Sequence, residues 1–128
     1  MSALLLSSFG FKYGVPEDAN YVIDVRFLPN PFYVAELKDL SGLDEPVRSY
    51  IEAFDETEEF FAACAAFLDL VVRRYSKGTT VPGRPRLHIA IGCTGGRHRS
   101  VAVVERLAER YRDAPGGVEV VHRDMWRR

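Results

Sequence analysis

The sequence has only two cysteines in 128 residues, Cys64 and Cys93. They have no C-x-x-C or zinc spacing, and one pair cannot make a disulfide framework, so a small stapled secreted scaffold is excluded. A global charge of one sign is also missing: the formal net charge is −1, so no overall positive field draws the chain to nucleic acid. The start, Met1-Ser2-Ala3-Leu4-Leu5-Leu6-Ser7, has neither the basic leader nor the apolar length of a signal peptide. No later run approaches membrane-spanning length. No H-x-H, H-E-x-x-H or carboxylate cluster marks a metal site, and no cofactor is called for. There is no internal repeat and no low-complexity tract. A single domain, 1–128, in a reducing cytoplasm is the expectation. Composition agrees, with 47% hydrophobic and 27% charged residues, as in soluble globular domains.

What the sequence does have is concentrated between Leu87 and Tyr111. Leu87 to Ile91 is an apolar run of strand length. Gly92-Cys93-Thr94-Gly95-Gly96-Arg97-His98-Arg99-Ser100 breaks it. From Val101, apolar Val104, Leu107, Ala108 and Tyr111 recur at helical spacing. Strand, glycine-rich turn and helix in that order make an anion cradle. Glycines let backbone N–H groups approach a ligand, and a helix start offers unpaired donors and the positive end of its dipole. Arg97, Arg99 and His98 add charge or polarity at the same place.

Other elements follow from pattern. Ala3–Leu6 and Tyr21–Arg26 are predicted strands, separated by a glycine-marked loop at Ser7–Gly14; the prolines of Phe27–Pro31 end the second. Asp24, inside an apolar strand, either accepts from loop N–H groups or contacts ligand directly. Asp44 is placed to cap one helix. Asp55, with Glu58 three residues on, is placed to cap another in a capping box. The second helix carries an apolar stripe of Phe60, Phe61, Cys64, Leu68, Val71, Val72 and Tyr75, a core-facing pattern rather than a cofactor site. Lys77–Arg86 is an exposed loop, and Val118–His122 the last strand. The ending Arg123–Arg128 reads as a frayed tail, or as part of a basic patch. His88 reads as structural or exposed at a strand start, while His98 and His122 are ligand candidates.

Four short strands with intervening helices predict an α/β domain with a mostly parallel four-stranded sheet. In such sheets ligands gather beyond the carboxyl ends of the strands. The segments after the strands are Ser8–Lys12, Arg26–Asn30, Gly92–Ser100 and His122-Arg123. All are glycine-rich, basic or polar, so they are expected to converge. The predicted ligand-binding set is therefore Lys12, Arg26, Asn30, Cys93, Thr94, Gly95, Gly96, Arg97, His98, Arg99, Ser100, His122 and Arg123. Their expected ligand is a phosphorylated small molecule, or sulfate or phosphate itself.

The same loop fits C-x-x-G-x-x-R-S, which resembles the signature of cysteine-dependent phosphatases. In that alternative Cys93 is the nucleophile, Arg99 holds the phosphoryl oxygens and Ser100 steadies the leaving thiolate. Gly92 departs from the usual His, and no general acid is identified. A nucleotide-hydrolysing P-loop is disfavoured, because G-x-x-x-x-G-K-[ST] is absent and the loop has no Lys. A third reading is an RNA-binding module.

Ser8-Phe9-Gly10-Phe11-Lys12, Asp24–Pro31, Gly42-Leu43-Asp44, Ile91–Val101 and His122-Arg123 together resemble the C-terminal domain of the RapZ family of RNase adapter and nucleotide-binding proteins. The resemblance implies a bacterial cytoplasmic regulatory domain, similar in fold to a sugar-phosphate-binding subdomain of phosphofructokinase. It implies binding of an amino-sugar phosphate or nucleotide sugar, coupling to a small RNA or regulatory protein, no membrane association, and homo-oligomers. It places the phosphate on Thr94, Gly95, Gly96, His98, Arg99 and Ser100, with Arg26 and Asn30 beside it. Family members carry an N-terminal kinase-like domain with a Walker loop. No such loop occurs here, so ATP or GTP binding attributed to that domain is not expected to transfer. Phe32 stands where some relatives carry His.

Overall fold

The computed structural model describes residues 3–79 and 81–127. Strands β1 (Leu4–Gly10), β2 (Tyr21–Asp24), β3 (Leu87–Cys93) and β4 (Val118–His122) form one sheet in the order β2-β3-β1-β4. Every pairing is parallel, so the expected sheet is parallel throughout. Its register places Gly10 beside Cys93, Asp24 beside Gly92 and Ser8 beside His122. The carboxyl ends of all four strands therefore open onto one edge.

Helices α1 (Glu45–Glu52), α2 (Asp55–Ser76) and α3 (Arg99–Arg110) pack on one face of the sheet. Alternation along β1 and β3 turns Leu4, Leu6, Leu87, Ile89 and Ile91 to that face, where they meet Leu68 and Val71 of α2 and Val103, Val104 and Leu107 of α3. These side chains are almost fully buried. Burying each stabilises the fold by about 1.5–3 kcal/mol before chain entropy is subtracted. Cys64 lies in the same core, and desolvation pushes its thiol up to about 11. The 22 residues of α2 begin with Asp55, Glu56 and Glu58 and end with Arg73 and Arg74, charges that complement the helix dipole. The opposite sheet face carries Leu5, Ser7, Phe9, His88 and Ala90, and the segment after β1 crosses part of it.

Several boundaries differ from expectation. β1 runs to Gly10 instead of stopping at Leu6, because the buried hydroxyls of Ser7 and Ser8 pair with His88 and His122 at 2.7 Å each. β3 likewise continues to Cys93, and α3 starts at Arg99 rather than Val101. Asp44 is the N-terminal flanking residue of α1, yet its carboxylate accepts from the Ser41 N–H at 2.8 Å instead of capping the helix. Asp55 is the first residue of α2 and not its cap, and Glu58 pairs with Arg106 of α3 at 3.0 Å, so no capping box forms. Asp24 accepts from the Arg26 N–H and side chain, as in its loop-bonded reading.

The tail expectation is overturned for residues 123–127. Asp124 is fully buried and accepts from the Gly10 N–H at 2.8 Å, as well as from Arg123 and Arg127. Met1, Ser2 and Arg128 lie outside the described residues, as does Thr80.

Candidate anion-binding site

Residues 94–98 bridge β3 and α3 at the carboxyl edge of the sheet. Their path is set by two backbone approaches that leave no room for side chains. A Cβ on Gly10 would lie 2.5 Å from the Gly95 carbonyl carbon, and one on Gly96, whose φ is +77°, would lie 2.6 Å from the Gly10 nitrogen. Gly95, in contrast, would meet only the Lys12 side chain, at 3.9 Å. The loop is thus packed against β1 on one side and open on the other.

No backbone N–H from Thr94 through His98 reaches an acceptor among the described residues. The loop borders a cavity of about 440 Å³ lined by Thr94, Gly95, Arg97, His98 and Arg99 together with Lys12, Asn30 and Cys93. Its remaining walls, Phe32, Tyr33, Lys38, Asp39 and Arg127, lie outside the ligand-binding set predicted from sequence. Five cations and one carboxylate line it, so a strongly positive locality exists in a chain whose net charge is −1.

Arg99 is only 5% exposed. Its Nη1 donates to the carbonyls of Arg26 and Leu28, at 2.6 and 3.2 Å. Its Nε has no partner among the described residues, although it is buried. An orphaned guanidinium N–H in a low-dielectric site is costly unless an acceptor arrives. Arg97 donates to the Asp39 carbonyl at 3.1 Å and lies 5.2 Å from the Trp126 ring centre.

Other predicted residues have different work. The buried His98 ring bonds through Nε2 to the Lys38 carbonyl at 3.0 Å, and Gly42 N–H donates to the Arg97 carbonyl at 2.9 Å. His98 and Arg97 therefore clamp the 38–42 segment to the loop, and His98, a ligand candidate from sequence, already bonds the Lys38 carbonyl through Nε2. Desolvation lowers the His98 pKa below its ordinary 6.5, helped by Arg97 and Arg99, though carbonyls of Lys38 and Leu40 oppose it. Its ring is neutral at pH 7. Asn30 accepts from the Phe32 N–H at 3.1 Å and so shapes the turn at Pro31–Tyr33. The exposed Arg26 forks onto Asp24 and lies 3.9 Å from the Phe11 ring centre, beside the cavity and not in its lining.

Gly96 and Ser100 lie beneath the lining. Ser100 is fully buried and accepts from the Cys93 thiol at 3.2 Å. His122 and Arg123 do not join the cavity. Ser8 and Glu105 hold both ring nitrogens of His122, at 2.7 and 2.8 Å, while Arg123 binds Asp124 and the Gly14 carbonyl. Asp124 itself was missed. Burial disfavours its charge, but hydrogen bonds from Arg123, the Gly10 N–H and Arg127 outweigh that and hold its carboxyl below the ordinary carboxylate range. The sequence signal was an Asp surrounded by arginines, Arg123, Arg127 and Arg128, which reads more naturally as solvated charge.

Among the described residues no group of three or more His, Cys, Asp and Glu is arranged to hold a metal. No described helix is long and apolar enough to cross a membrane.

A parallel two-layer α/β sheet with a glycine-rich strand-to-helix turn at its carboxyl edge defines a class of small α/β domains whose strand ends and turn share one edge. Within that class the chain belongs to the RapZ C-terminal domain family, which matches residues 2–126. It is 47% identical over 118 residues to a nucleotide-binding protein of Clostridium acetobutylicum, covering 92% of this chain and 39% of that protein. It is 50% identical over 121 residues to a nucleotide-binding protein of Saccharopolyspora erythraea, covering 94% of this chain and 40% of that one. A nucleotide-binding protein of Nitratidesulfovibrio vulgaris is also 50% identical, over 118 residues. The chain thus spans about two fifths of the length of these curated relatives.

Proposed function

We propose that this domain is a regulatory binding module for a phosphorylated metabolite, an amino-sugar phosphate or a nucleotide sugar, and that the occupied site communicates with an RNA or protein partner. One observation carries the reading: the loop whose backbone N–H groups have no acceptor among the described residues, and buried Arg99 whose Nε has none either, line the same cation-rich cavity. An oxyanion satisfies both at once. The names of the relatives, nucleotide-binding proteins, agree with a phosphorylated ligand. Phe32 and Tyr33, exposed at the cavity wall, offer ring faces to the part of the ligand beyond its phosphate.

The test is calorimetric titration with phosphosugars, nucleotide sugars, nucleotides and inorganic phosphate, paired with thermal unfolding. Binding of one organic phosphate at least tenfold tighter than inorganic phosphate, abolished by Arg99→Ala in a folded variant, is expected. Equal weak affinity for every anion sinks the proposal. The phosphatase alternative is separated in the same samples. Release of phosphate from a phenyl phosphate ester, lost in Cys93→Ser while binding persists, replaces the binding module with an enzyme.

A further inference from the structure

We propose that Ser7, His88 and Asp18 form a second, independent reactive site, in which Ser7 is a nucleophile toward small uncharged carboxylic esters and His88 is its general base. The site lies on the sheet face opposite the helices, away from the anion cavity. Ser7 of β1 and His88 of β3 are close on adjacent parallel strands, with Oγ 2.7 Å from Nε2. His88 is 6% exposed, and its Nδ1 is buried without a hydrogen-bond partner among the described residues. Asp18 Oδ1 lies 3.5 Å from that nitrogen. A proton on Nδ1 facing the carboxylate leaves Nε2 as the acceptor for the Ser7 hydroxyl, the relation a nucleophile and its base require. Asn20 holds the backbone of His88 on both sides, accepting from its N–H and donating to its carbonyl at 2.8 Å each.

These groups open onto a cleft of about 620 Å³ whose apolar walls include Leu5, Val15, Pro16 and Val121. Tyr13 lines the same cleft, and its buried hydroxyl also lacks a partner among the described residues. The contrast with a purely structural network is inside the molecule. Ser8, His122 and Glu105 form a similar chain, but Ser8 is fully buried and both His122 nitrogens are taken. Ser7 and His88 are also buried, at 5% and 6% exposed, but both border the open cleft and the His88 Nδ1 keeps no hydrogen-bond partner among the described residues.

Charge balances at each step. Ser7 Oγ bonds to the ester carbonyl carbon as its proton passes to His88 Nε2. The alkoxide departs with that proton, leaving acyl-Ser7. Water then attacks the acyl carbon, giving its proton to His88, which returns it to Ser7 Oγ as the acid leaves. Burial lowers the His88 pKa below 6.5, opposed by Asp18 and assisted by Arg86, which keeps the base unprotonated at neutral pH. Glu17 and Arg123 are the other charged groups lining the cleft.

The experiment uses the full chain and a fluorophosphonate probe, which transfers its phosphonyl group to Ser7 with loss of fluoride, followed by peptide mass mapping. An adduct on the peptide containing Ser7 is expected, absent in Ser7→Ala and slowed on the order of a hundredfold in His88→Gln. Asp18, a positioning residue, is tested by Asp18→Asn, which is expected to lower the pH midpoint of labelling. Folding of each variant is checked by its phosphate-induced thermal shift at the separate anion cavity. No adduct, an adduct on another residue, or His88→Gln labelled at the parent rate overturns the proposal. An unmoved midpoint in Asp18→Asn removes Asp18 from it.

Discussion

Gly10 at the end of β1 and Gly96 in the anion loop touch backbone to backbone: a Cβ on Gly10 would lie 2.9 Å from the Gly96 nitrogen, and one on Gly96 would lie 2.6 Å from the Gly10 nitrogen. The contact presses one side of the loop onto the sheet and leaves the other side of it facing the cavity. The two neighbouring glycines of the loop should therefore respond differently to alanine. Gly96→Ala adds a left-handed backbone penalty of roughly 1–2 kcal/mol to a clash with main chain, so a loss of about 2 kcal/mol or more is expected in urea unfolding. Gly95→Ala meets open space and should change stability by less than about 0.5 kcal/mol while weakening anion binding, because its methyl group is added on the side that faces the cavity. Equal destabilisation by both would show that the loop is not packed as described.

Arg99 joins the cavity lining to the segment after β2, through the carbonyls of Arg26 and Leu28. Arg99→Lys keeps the charge but loses the planar fork, so it cannot serve both carbonyls and an anion. Its anion affinity should fall by about 1.5–3 kcal/mol, the usual worth of a hydrogen bond to a charged group, or roughly tenfold to 150-fold. Titration calorimetry with inorganic phosphate reads this directly. Undiminished affinity in Arg99→Lys would mean the backbone amides alone hold the anion.

Much of this arrangement was legible before the fold was known. The run from Leu87 to Tyr111 announces strand, turn and helix by its own periodicity, and parallel topology then implies that the other strand ends converge with it. The misses share a cause. Ser7 and Ser8 look like loop residues until His88 and His122, 81 and 114 positions away, supply partners inside the sheet. Asp124 looks solvated until the Gly10 N–H, 114 positions away, claims its carboxylate. Lys38 and Asp39 reach the cavity where His98 and Arg97 bond their carbonyls, and Tyr33 lies a few residues before them. Each of these depends on a long-range polar contact, and local spacing carries no trace of one.

The Asp124 carboxylate should carry much of the stability of the C-terminal segment. Asp124→Ala removes a fully buried carboxylate and leaves the Gly10 N–H without its acceptor, while Arg123 keeps the Gly14 carbonyl. Arg123 and Arg127 are 34% and 54% exposed and are resolvated once freed, so the cost is mainly that of the orphaned amide, about 1–3 kcal/mol. Asp124→Asn retains an acceptor for Gly10 and should lose less than Asp124→Ala. Chemical unfolding of both variants checks the order. Because Gly10 packs against the loop, Asp124→Ala should also weaken phosphate binding, and an unchanged affinity would argue that the tail and the loop are uncoupled.

Stability should fall in two separate windows as pH drops. His98 and His88 both have pKa values lowered from 6.5, chiefly by burial. Above that pH both are neutral in folded and unfolded chains, and their contribution is complete. Below it the unfolded chain takes up protons first, so stability declines until the depressed folded values are passed. The slope is about 1.4 kcal/mol per pH unit for each histidine within that interval. The carboxyls of Asp24, Asp69 and Asp124, lowered from 3.8, and Glu58, lowered from 4.5, act later. Their contribution is intact above those ordinary values and is lost as pH falls through the depressed ones. Unfolding free energies measured by urea titration from pH 8 to pH 3 should therefore bend once near 6.5 and again near 4. In His98→Gln the first decline should be shallower, since Gln can still donate to the Lys38 carbonyl without gaining a proton in the unfolded chain. A first decline of unchanged slope in that variant would show that His98 is already charged, or exposed, in the folded domain.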